Sequence, residues 1–140
     1  MAKAYCELSF ASESSRVRCM VDCLLSFLNS YAPAPDVRDD LKLIFSELLY
    51  NAVIHGNKED CTKTVNVRLE TIGTKINAFV RDEGPGFDYG SVIECAKRCA
   101  EKGNSLQNER GRGMLLVDAL TDNLSFNETG NVIRFEKRLK

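Results

Sequence analysis

The chain has 140 residues and a formal net charge of −1, with 44% hydrophobic and 28% charged residues. This length fits a single domain, residues 1–140, with a core of its own. The near-neutral charge argues against general binding to nucleic acid or to membrane surfaces. Because we find no signal-peptide core and no apolar run near the roughly 18 residues of a membrane span, we expect a cytoplasmic protein.

The first two predicted elements are a strand and an amphipathic helix. In "YCELSF", residues 5–10, apolar side chains alternate, beginning with either Tyr5 or Cys6. The next segment repeats apolar residues at the spacing of one helix face. These residues are Val17, Met20, Val21, Leu24, Leu25 and Leu28. We expect Ser12 or a neighbouring serine to cap this helix.

A second helix is predicted after the break at Pro33 and Pro35, with Asp36 as its N-cap. The helix contains "FSELLYNAVIHGN", residues 45–57, and should end near Gly56.

Three polar residues of this helix, Glu47, Asn51 and His55, follow one another at intervals of four. At that spacing their side chains lie along one stripe of the helix surface. The stripe borders a strongly apolar face, so it is either exposed to solvent or lines a site.

The rest of the chain predicts two hairpins and two further helices. The hairpins turn at Gly73 and at Thr129-Gly130, and a short helix runs from about Ser91 to Lys102. Residues 104–112 are predicted to form a polar loop, followed by a helix that begins at Gly113. The order β-α-α-β-β-α-loop-α-β-β predicts an α+β two-layer sandwich, with helices on one face of a mixed, mainly antiparallel sheet.

Two glycine-containing segments are candidates for ligand binding. "DEGPGF" places Asp82 at a strand end, followed by Gly84 and Gly86, and glycine lets a backbone approach a ligand closely. A tight turn is the alternative interpretation of this hexapeptide. "GRGM", which starts at Gly111 between arginines, opens a predicted helix, where N–H groups form an anion site. Neither segment is a Walker loop or a Rossmann fingerprint.

In this order, the three segments resemble the GHKL ATP-binding fold, or Bergerat fold, of type II topoisomerases, Hsp90, MutL and histidine kinases. "SELLYNAVIHGN" resembles the N box, and "VRDEGPGF" resembles the G1 box. "ERGRGMLLVDALTDNLSF" and "GNVIRFEK" resemble the G2 box and the closing hairpin. The resemblance covers nearly the whole chain. Within the group, the chain looks most like the short bacterial anti-sigma factors that are also serine kinases.

The resemblance implies a role for each polar residue of the N box. Asn51 would bind Mg²⁺, which bridges the phosphates of ATP. Glu47 would be the catalytic residue, as a base or by orienting the attacking hydroxyl. His55 would cap the helix end or support the pocket.

The G1 and G2 boxes imply the other cofactor-binding residues. Asp82 would accept a hydrogen bond from the adenine amine, and Gly84 and Gly86 would make room for the base and ribose. Residues 104–112 would form a lid. The residues expected to surround the phosphates are Arg110, Gly111, Gly113 and Met114.

The function implied is that of an anti-sigma factor with ATP-dependent serine/threonine kinase activity. It would bind a sigma factor, phosphorylate a serine of an anti-anti-sigma (STAS-type) partner and form a homodimer. The arginine with which that group contacts partners aligns with Val21 here, so we do not carry its role over. One alternative is an ATP-gated protein-binding module without phosphotransfer. Another is the catalytic domain of a histidine kinase, against which the single histidine, His55, argues.

The six cysteines carry two alternative interpretations. Cys19 with Cys23, and Cys95 with Cys99, are pairs at helical i,i+4 spacing. They are either small apolar contacts on helix faces or, if the helices met, a zinc site. We expect reduced thiols rather than disulfides in a cytosolic protein.

Overall fold

The computed structural model describes residues 3–103 and 109–140, with side chains for 4–103 and 111–140. The strands are β1 (Lys3–Ala11), β2 (Thr64–Ile72), β3 (Lys75–Arg81), β4 (Asn123–Phe126) and β5 (Val132–Arg138). The helices are α1 (Val17–Asn29), α2 (Pro35–Asn51), α3 (Tyr89–Glu101) and α4 (Glu109–Leu120). A 3-10 turn, Ser14–Arg16, precedes α1, and a π-helical segment, Ala52–Gly56, continues α2.

The five strands form one antiparallel sheet in the order β1-β2-β3-β5-β4. Alternate residues of each central strand are buried, because successive side chains of a strand point to opposite faces. The predicted α+β fold with a mainly antiparallel sheet is confirmed.

The core lies between the inner sheet face and the helices. On α2, the apolar residues repeat every three or four positions, so one side of the helix is buried. At the centre, the rings of Phe45 on α2 and Phe135 on β5 meet edge-on, 5.4 Å apart. The other buried residues of α2 are Leu41, Ile44, Leu48, Leu49 and Asn51.

The structure shows which of Tyr5 and Cys6 faces the core on β1, the choice that the sequence left open. Cys6 packs against the core, whereas Tyr5 lies on the outer face with 47% of its surface exposed. There, the Arg68 guanidinium lies 4.9 Å from the centroid of the Tyr5 ring.

Both helix caps predicted from the sequence are wrong. Helix α1 is entered through the 3-10 turn, its N-cap is Arg16, and no side chain caps it. Ser12 is instead fully buried, and its hydroxyl accepts a hydrogen bond from Asn57. Helix α2 has Ala34 as its N-cap, so Asp36 lies in its first turn, where a carboxylate favours the positive end of the helix dipole.

Helix α4 begins at Glu109, not at Gly113 as predicted. Glycine disfavours a helix interior by roughly 1 kcal/mol relative to alanine, which is why the sequence indicated a loop here. Burial of Gly111 and Gly113 against the rest of the molecule outweighs that preference. Of the predicted loop and lid, residues 104–108 lie outside the part of the chain that the structure describes.

A buried lysine holds the far end of α4. Lys137, on the inner face of β5, donates to the carbonyl of Leu120, the last residue of α4. Its ammonium also lies 3.5 Å from the Asp40 carboxylate on α2. The C-terminal end of α4 is therefore tied to both the sheet and α2.

All six cysteines are free thiols. Within residues 3–103 and 109–140, no three His, Cys, Asp or Glu side chains group as metal ligands would, so the paired cysteines form no such zinc site. In the same ranges, the helices are too short or too polar to cross a bilayer.

Candidate functional site

The end of β3 carries Asp82, which is only 7% exposed. The N–H of Gly84 donates to the Asp82 Oδ1 atom at 2.7 Å, which fixes the carboxylate at the start of the loop. Gly56 packs so closely on this carboxylate that a Cβ atom there would overlap it. Gly84 in turn packs on the Gly56 carbonyl with no room for a side chain. The three residues therefore form one tight contact between the end of the π-helical segment and the end of β3.

A cavity of about 270 Å³ opens beside Asp82. Gly86 shapes its wall, because its φ of +91° and its contact with the Thr129 carbonyl both require glycine. The residues that line this base-side cavity are His55, Gly56, Lys58, Asp82, Pro85, Gly86, Phe87, Tyr89 and Gly130.

A second cavity, of about 350 Å³, lies over the polar stripe of α2. Glu47, Asn51 and His55 therefore line a common cavity, in which Asn51 is buried and His55 is exposed. His55 lines both cavities, so the two are adjacent, and we refer to them together as the cleft. The residues that line this helix-side cavity are Glu47, Tyr50, Asn51, His55, Arg112, Gly113 and Leu116.

Helix α4 meets the N-box helix at two close contacts. A Cβ atom on Gly113 would overlap the Glu47 carboxylate, so glycine is what allows this approach. One turn along α2, the Asn51 amide donates to the sulfur of Met114 at 3.3 Å. The predicted G2-box residues Gly113 and Met114 therefore lie against the predicted N-box residues Glu47 and Asn51.

Asn51 suits a hard cation. The residue is 4% exposed, and among residues 4–103 and 111–140, whose side chains are described, no hydrogen-bond donor reaches its side-chain oxygen. A buried amide oxygen without a donor is costly unless something binds it. Amide oxygens are suitable ligands for Mg²⁺, so the residue present here fits the metal expected from the sequence.

Gly111 and Gly113, the glycines of the predicted phosphate cradle, both lie within helix α4 and not in a loop before it. Because α4 begins at Glu109, the N–H of Gly113 belongs to the regular helix, whose internal bonds run from i to i−4. Residues 109–112 form the first turn of this helix instead. The side chain of Arg110 lies outside the described residues.

The cleft includes residues that the sequence analysis did not select. Tyr50 and Leu116 line the helix-side cavity, and Lys58, Tyr89 and Gly130 line the base-side cavity. Tyr50 lies three residues after Glu47, so helical spacing was a usable signal for it. Leu116, Lys58 and Tyr89 each lie within three residues of a selected residue, whereas Gly130 enters the cleft from a distant segment, which no local pattern reports.

The fold is that of a histidine kinase-like ATPase domain. The family model described as "Histidine kinase-like ATPase domain" matches residues 10–137, and the chain belongs to this family. The resemblance stated from the sequence is thereby confirmed.

Among curated proteins, the chain is similar to the "Anti-sigma F factor" of Bacillus subtilis (strain 168). The two are 27% identical over 117 residues, which is 81% of this chain and 78% of the relative. It is also similar to the "Serine-protein kinase RsbW" of Staphylococcus aureus (strain JH9), with 29% identity over 105 residues, 73% of this chain and 66% of the relative. The same protein from strain Newman matches equally.

Proposed function

We propose that the chain is an anti-sigma factor with ATP-dependent serine/threonine protein kinase activity. It binds a sigma factor and phosphorylates a serine of a STAS-type anti-anti-sigma partner, as a single domain that forms a homodimer in the cytoplasm. The observation that carries the proposal is the position of Glu47, on the wall of a cavity that it shares with Asn51. The names of the relatives, an anti-sigma factor and a serine-protein kinase, support it.

In this proposal, ATP spans the cleft with its base beside Asp82 and its phosphates beside Asn51. The Asp82 carboxylate accepts a hydrogen bond from the exocyclic amine of adenine, whereas guanine presents a carbonyl at that position. The glycines at positions 84 and 86 let the loop pack closely on Gly56 and Thr129, and this packing shapes the wall beside which the base and ribose bind. Arg110 and Arg112 supply positive charge for the phosphates.

Asn51 holds Mg²⁺ through its side-chain oxygen, the atom that no described donor reaches. When bound, this ion neutralises charge on the phosphates, which is most of what phosphoryl transfer requires besides positioning.

Glu47 acts on the incoming hydroxyl. It hydrogen bonds to the partner's serine and takes its proton while the serine oxygen forms a bond to the γ-phosphorus. The bond from the γ-phosphorus to the β,γ-bridging oxygen breaks, and ADP leaves with the electron pair. Gly113 provides the space in which the carboxylate sits, because any larger residue would overlap it.

Phosphate transfer with radiolabelled ATP tests the proposal. The wild type should label a cognate anti-anti-sigma protein on serine. Glu47→Ala and the isosteric Glu47→Gln should keep ATP binding and sigma-factor binding but lose transfer by ~10²–10⁴-fold, the usual contribution of a general base. Glu94→Ala, which removes an exposed glutamate of α3, is the matched control and should transfer normally.

Two outcomes count against the proposal. If Glu47→Gln transfers phosphate at the wild-type rate, the catalytic assignment is wrong. If the wild type binds ATP but labels no cognate partner, the chain is an ATP-gated binding module, and Glu47 is only part of its pocket.

A further inference from the structure

Asn57 is the most completely buried polar residue near the cleft, at 1% exposure, apart from Ser12. Its side-chain nitrogen donates to the Ser12 hydroxyl at 2.7 Å and to the Thr64 carbonyl at 2.9 Å. Its side-chain oxygen accepts from the N–H of Glu83 at 2.7 Å. One amide therefore links the end of the π-helical segment to the end of β1, the start of β2 and the loop after β3.

The links close a ring. The Glu83 carboxylate accepts from the N–H of Thr64 at 2.6 Å, while the carbonyl of the same Thr64 accepts from Asn57. The backbone N–H and carbonyl of Thr64 thus both form hydrogen bonds with side chains, those of Glu83 and Asn57. Thr64 and Glu83 are exposed, whereas the Asn57 amide is buried, so displacing this amide would leave a buried donor or acceptor unpaired.

The two residues that follow Asn57 adopt an unfavourable backbone conformation. Lys58 and Glu59 have φ values of 55° and 54°, in the left-handed region that non-glycine residues rarely enter. The N–H groups of Asn57 and Glu59 donate back to Ala52 and Val53, which closes the turn. Such a turn persists only where its surroundings impose it, and the buried Asn57 amide is part of those surroundings.

The ring of hydrogen bonds lies next to the contact between Gly56, Asp82 and Gly84. Gly56, which precedes Asn57, packs on the Asp82 carboxylate and on Gly84. Glu83, which Asn57 holds, lies between those two residues in sequence. On the other side, Asn131 accepts from the N–H of Asp82 through its carbonyl and donates to the carbonyl of Gly84 through its side chain. The loop that carries Asp82 is therefore held from both sides.

We propose that Asn57 is a positioning residue for base selectivity: its buried amide fixes the Asp82–Gly84 loop against Gly56 so that the carboxylate faces the adenine amine. This inference rests on the proposed function, because it assumes that Asp82 reads the base. The geometry makes Asn57 act through Asp82, without touching the nucleotide itself.

Binding of three ligands to Asn57→Ala tests this role. ATP affinity should fall about tenfold, because the free energy of one buried hydrogen bond corresponds to about that change in the dissociation constant. The preference for ATP over GTP should fall by a similar factor. Affinity for inorganic tripolyphosphate, which has no base, should stay at the wild-type value. Amide hydrogen exchange at Glu83 and Gly84 should become faster.

Asn66→Ala is the matched control. The Asn66 side chain also makes three hydrogen bonds, here all as a donor, to Glu7, Leu8 and Ser9. It also joins β1 to β2, but on the outer face of the sheet. It should leave the ATP/GTP ratio and the exchange at residues 83 and 84 unchanged.

The outcomes separate this inference from the proposed function. If the wild type prefers ATP and Asn57→Ala keeps that preference, Asn57 is only structural and the inference is wrong. If the wild type does not distinguish ATP from GTP, the assignment of Asp82 falls, and the inference falls with it. Should Asn57→Ala fail to fold, Ser12→Ala decides: it removes one of the three hydrogen bonds of the Asn57 amide and should shift the ATP/GTP ratio in the same direction, by less.

Discussion

At the scale of single residues, the cleft depends on a few side chains whose neighbours leave them little freedom. Asp82 is the clearest case, since Gly84 donates to it and Gly56 packs on it. The carboxylate therefore keeps its orientation before any ligand arrives, which is the preorganisation that makes a recognition contact effective.

Asp82→Asn should weaken ATP binding by about 1–3 kcal/mol, because a charged acceptor becomes a neutral amide that presents either oxygen or nitrogen to the base. The amide oxygen can still accept from Gly84, so we expect the fold to be retained. Calorimetry with ATP measures the change, and Asp60→Asn, at an exposed position, is the control. Equal ATP affinity in the wild type and Asp82→Asn would remove Asp82 from the site.

Among the cysteines, Cys6 should be modified more slowly than the exposed thiols. Burial raises the pKa of Cys6, and the nearby Cys23 thiol adds to the effect. Because the thiolate is the reactive form, a raised pKa leaves a smaller fraction of Cys6 reactive at any pH below that pKa. Raising the pH should therefore narrow the difference in modification rate between Cys6 and the exposed thiols. Mass spectrometry after timed iodoacetamide treatment at pH 8 should show Cys61 alkylated before Cys6. Similar rates for the two would contradict this expectation.

At the scale of secondary-structure elements, α4 is the one whose position decides the helix-side cavity. Its C-terminal end is held by Lys137, while its N-terminal half rests on α2 through Gly113 and Met114. The ion pair between Lys97 and Asp118, at 2.8 Å, also joins it to α3.

Gly113→Ala should separate the contribution of Gly113 to stability from its contribution to catalysis. The new Cβ overlaps only the far end of the flexible Glu47 side chain, which can rotate away, and alanine favours the helix by roughly 1 kcal/mol. We therefore expect the unfolding free energy to change by no more than about 1 kcal/mol. Phosphate transfer should fall sharply because Glu47 is displaced.

Gly90→Ala on α3 is the matched control for this substitution. Its Cβ would meet only the Asp88 carboxylate, at an ordinary 3.7 Å, so it should stabilise the protein slightly and leave transfer unchanged. Normal transfer by Gly113→Ala would show that the contact with Glu47 is dispensable.

The elements themselves were predictable from the sequence, but their ends were less so. Helix α1 and the hairpin at Gly73 follow from periodicity, because burial of one face dominates their energetics. The start of α4 was missed because packing overrode the local preference of two glycines. The cap predicted at Ser12 was wrong because its hydroxyl accepts a hydrogen bond from a residue 45 positions away.

The candidate site was predictable only where a local motif carried it. Glu47 and Asn51 share one helix stripe, so their proximity follows from spacing. Two contacts of the cleft join segments that are 26 residues apart: Gly56 packs on Asp82, and Asn57 accepts a hydrogen bond from Glu83. Such contacts are a product of the assembled sheet and helix layers, and local spacing does not encode them.

At the scale of the whole molecule, one core supports both halves of the cleft. The Phe45 and Phe135 contact joins α2 to β5 at the centre of this core. Because the N-box residues lie on the same helix as Phe45, the stability of the core and the geometry of the cleft are coupled.

Phe45→Ala should destabilise the protein by about 3–5 kcal/mol, since it removes a fully buried ring and leaves a cavity. Leu43→Ala, on the same helix but 48% exposed, should cost far less. Urea denaturation followed by circular dichroism compares the two. A cost for Phe45→Ala as small as that for Leu43→Ala would mean that the core is not packed as described.

The strand order has a kinetic consequence. Only the β2–β3 and β4–β5 pairings are local, whereas β1–β2 and β3–β5 join residues more than 50 positions apart. Loop-closure entropy delays such distant pairings during folding. The contacts of Asn57 with Ser12 and of Asp82 with Asn131 require those late pairings. The cleft should thus be among the last parts of the molecule to form, so a bound nucleotide would slow unfolding without speeding folding.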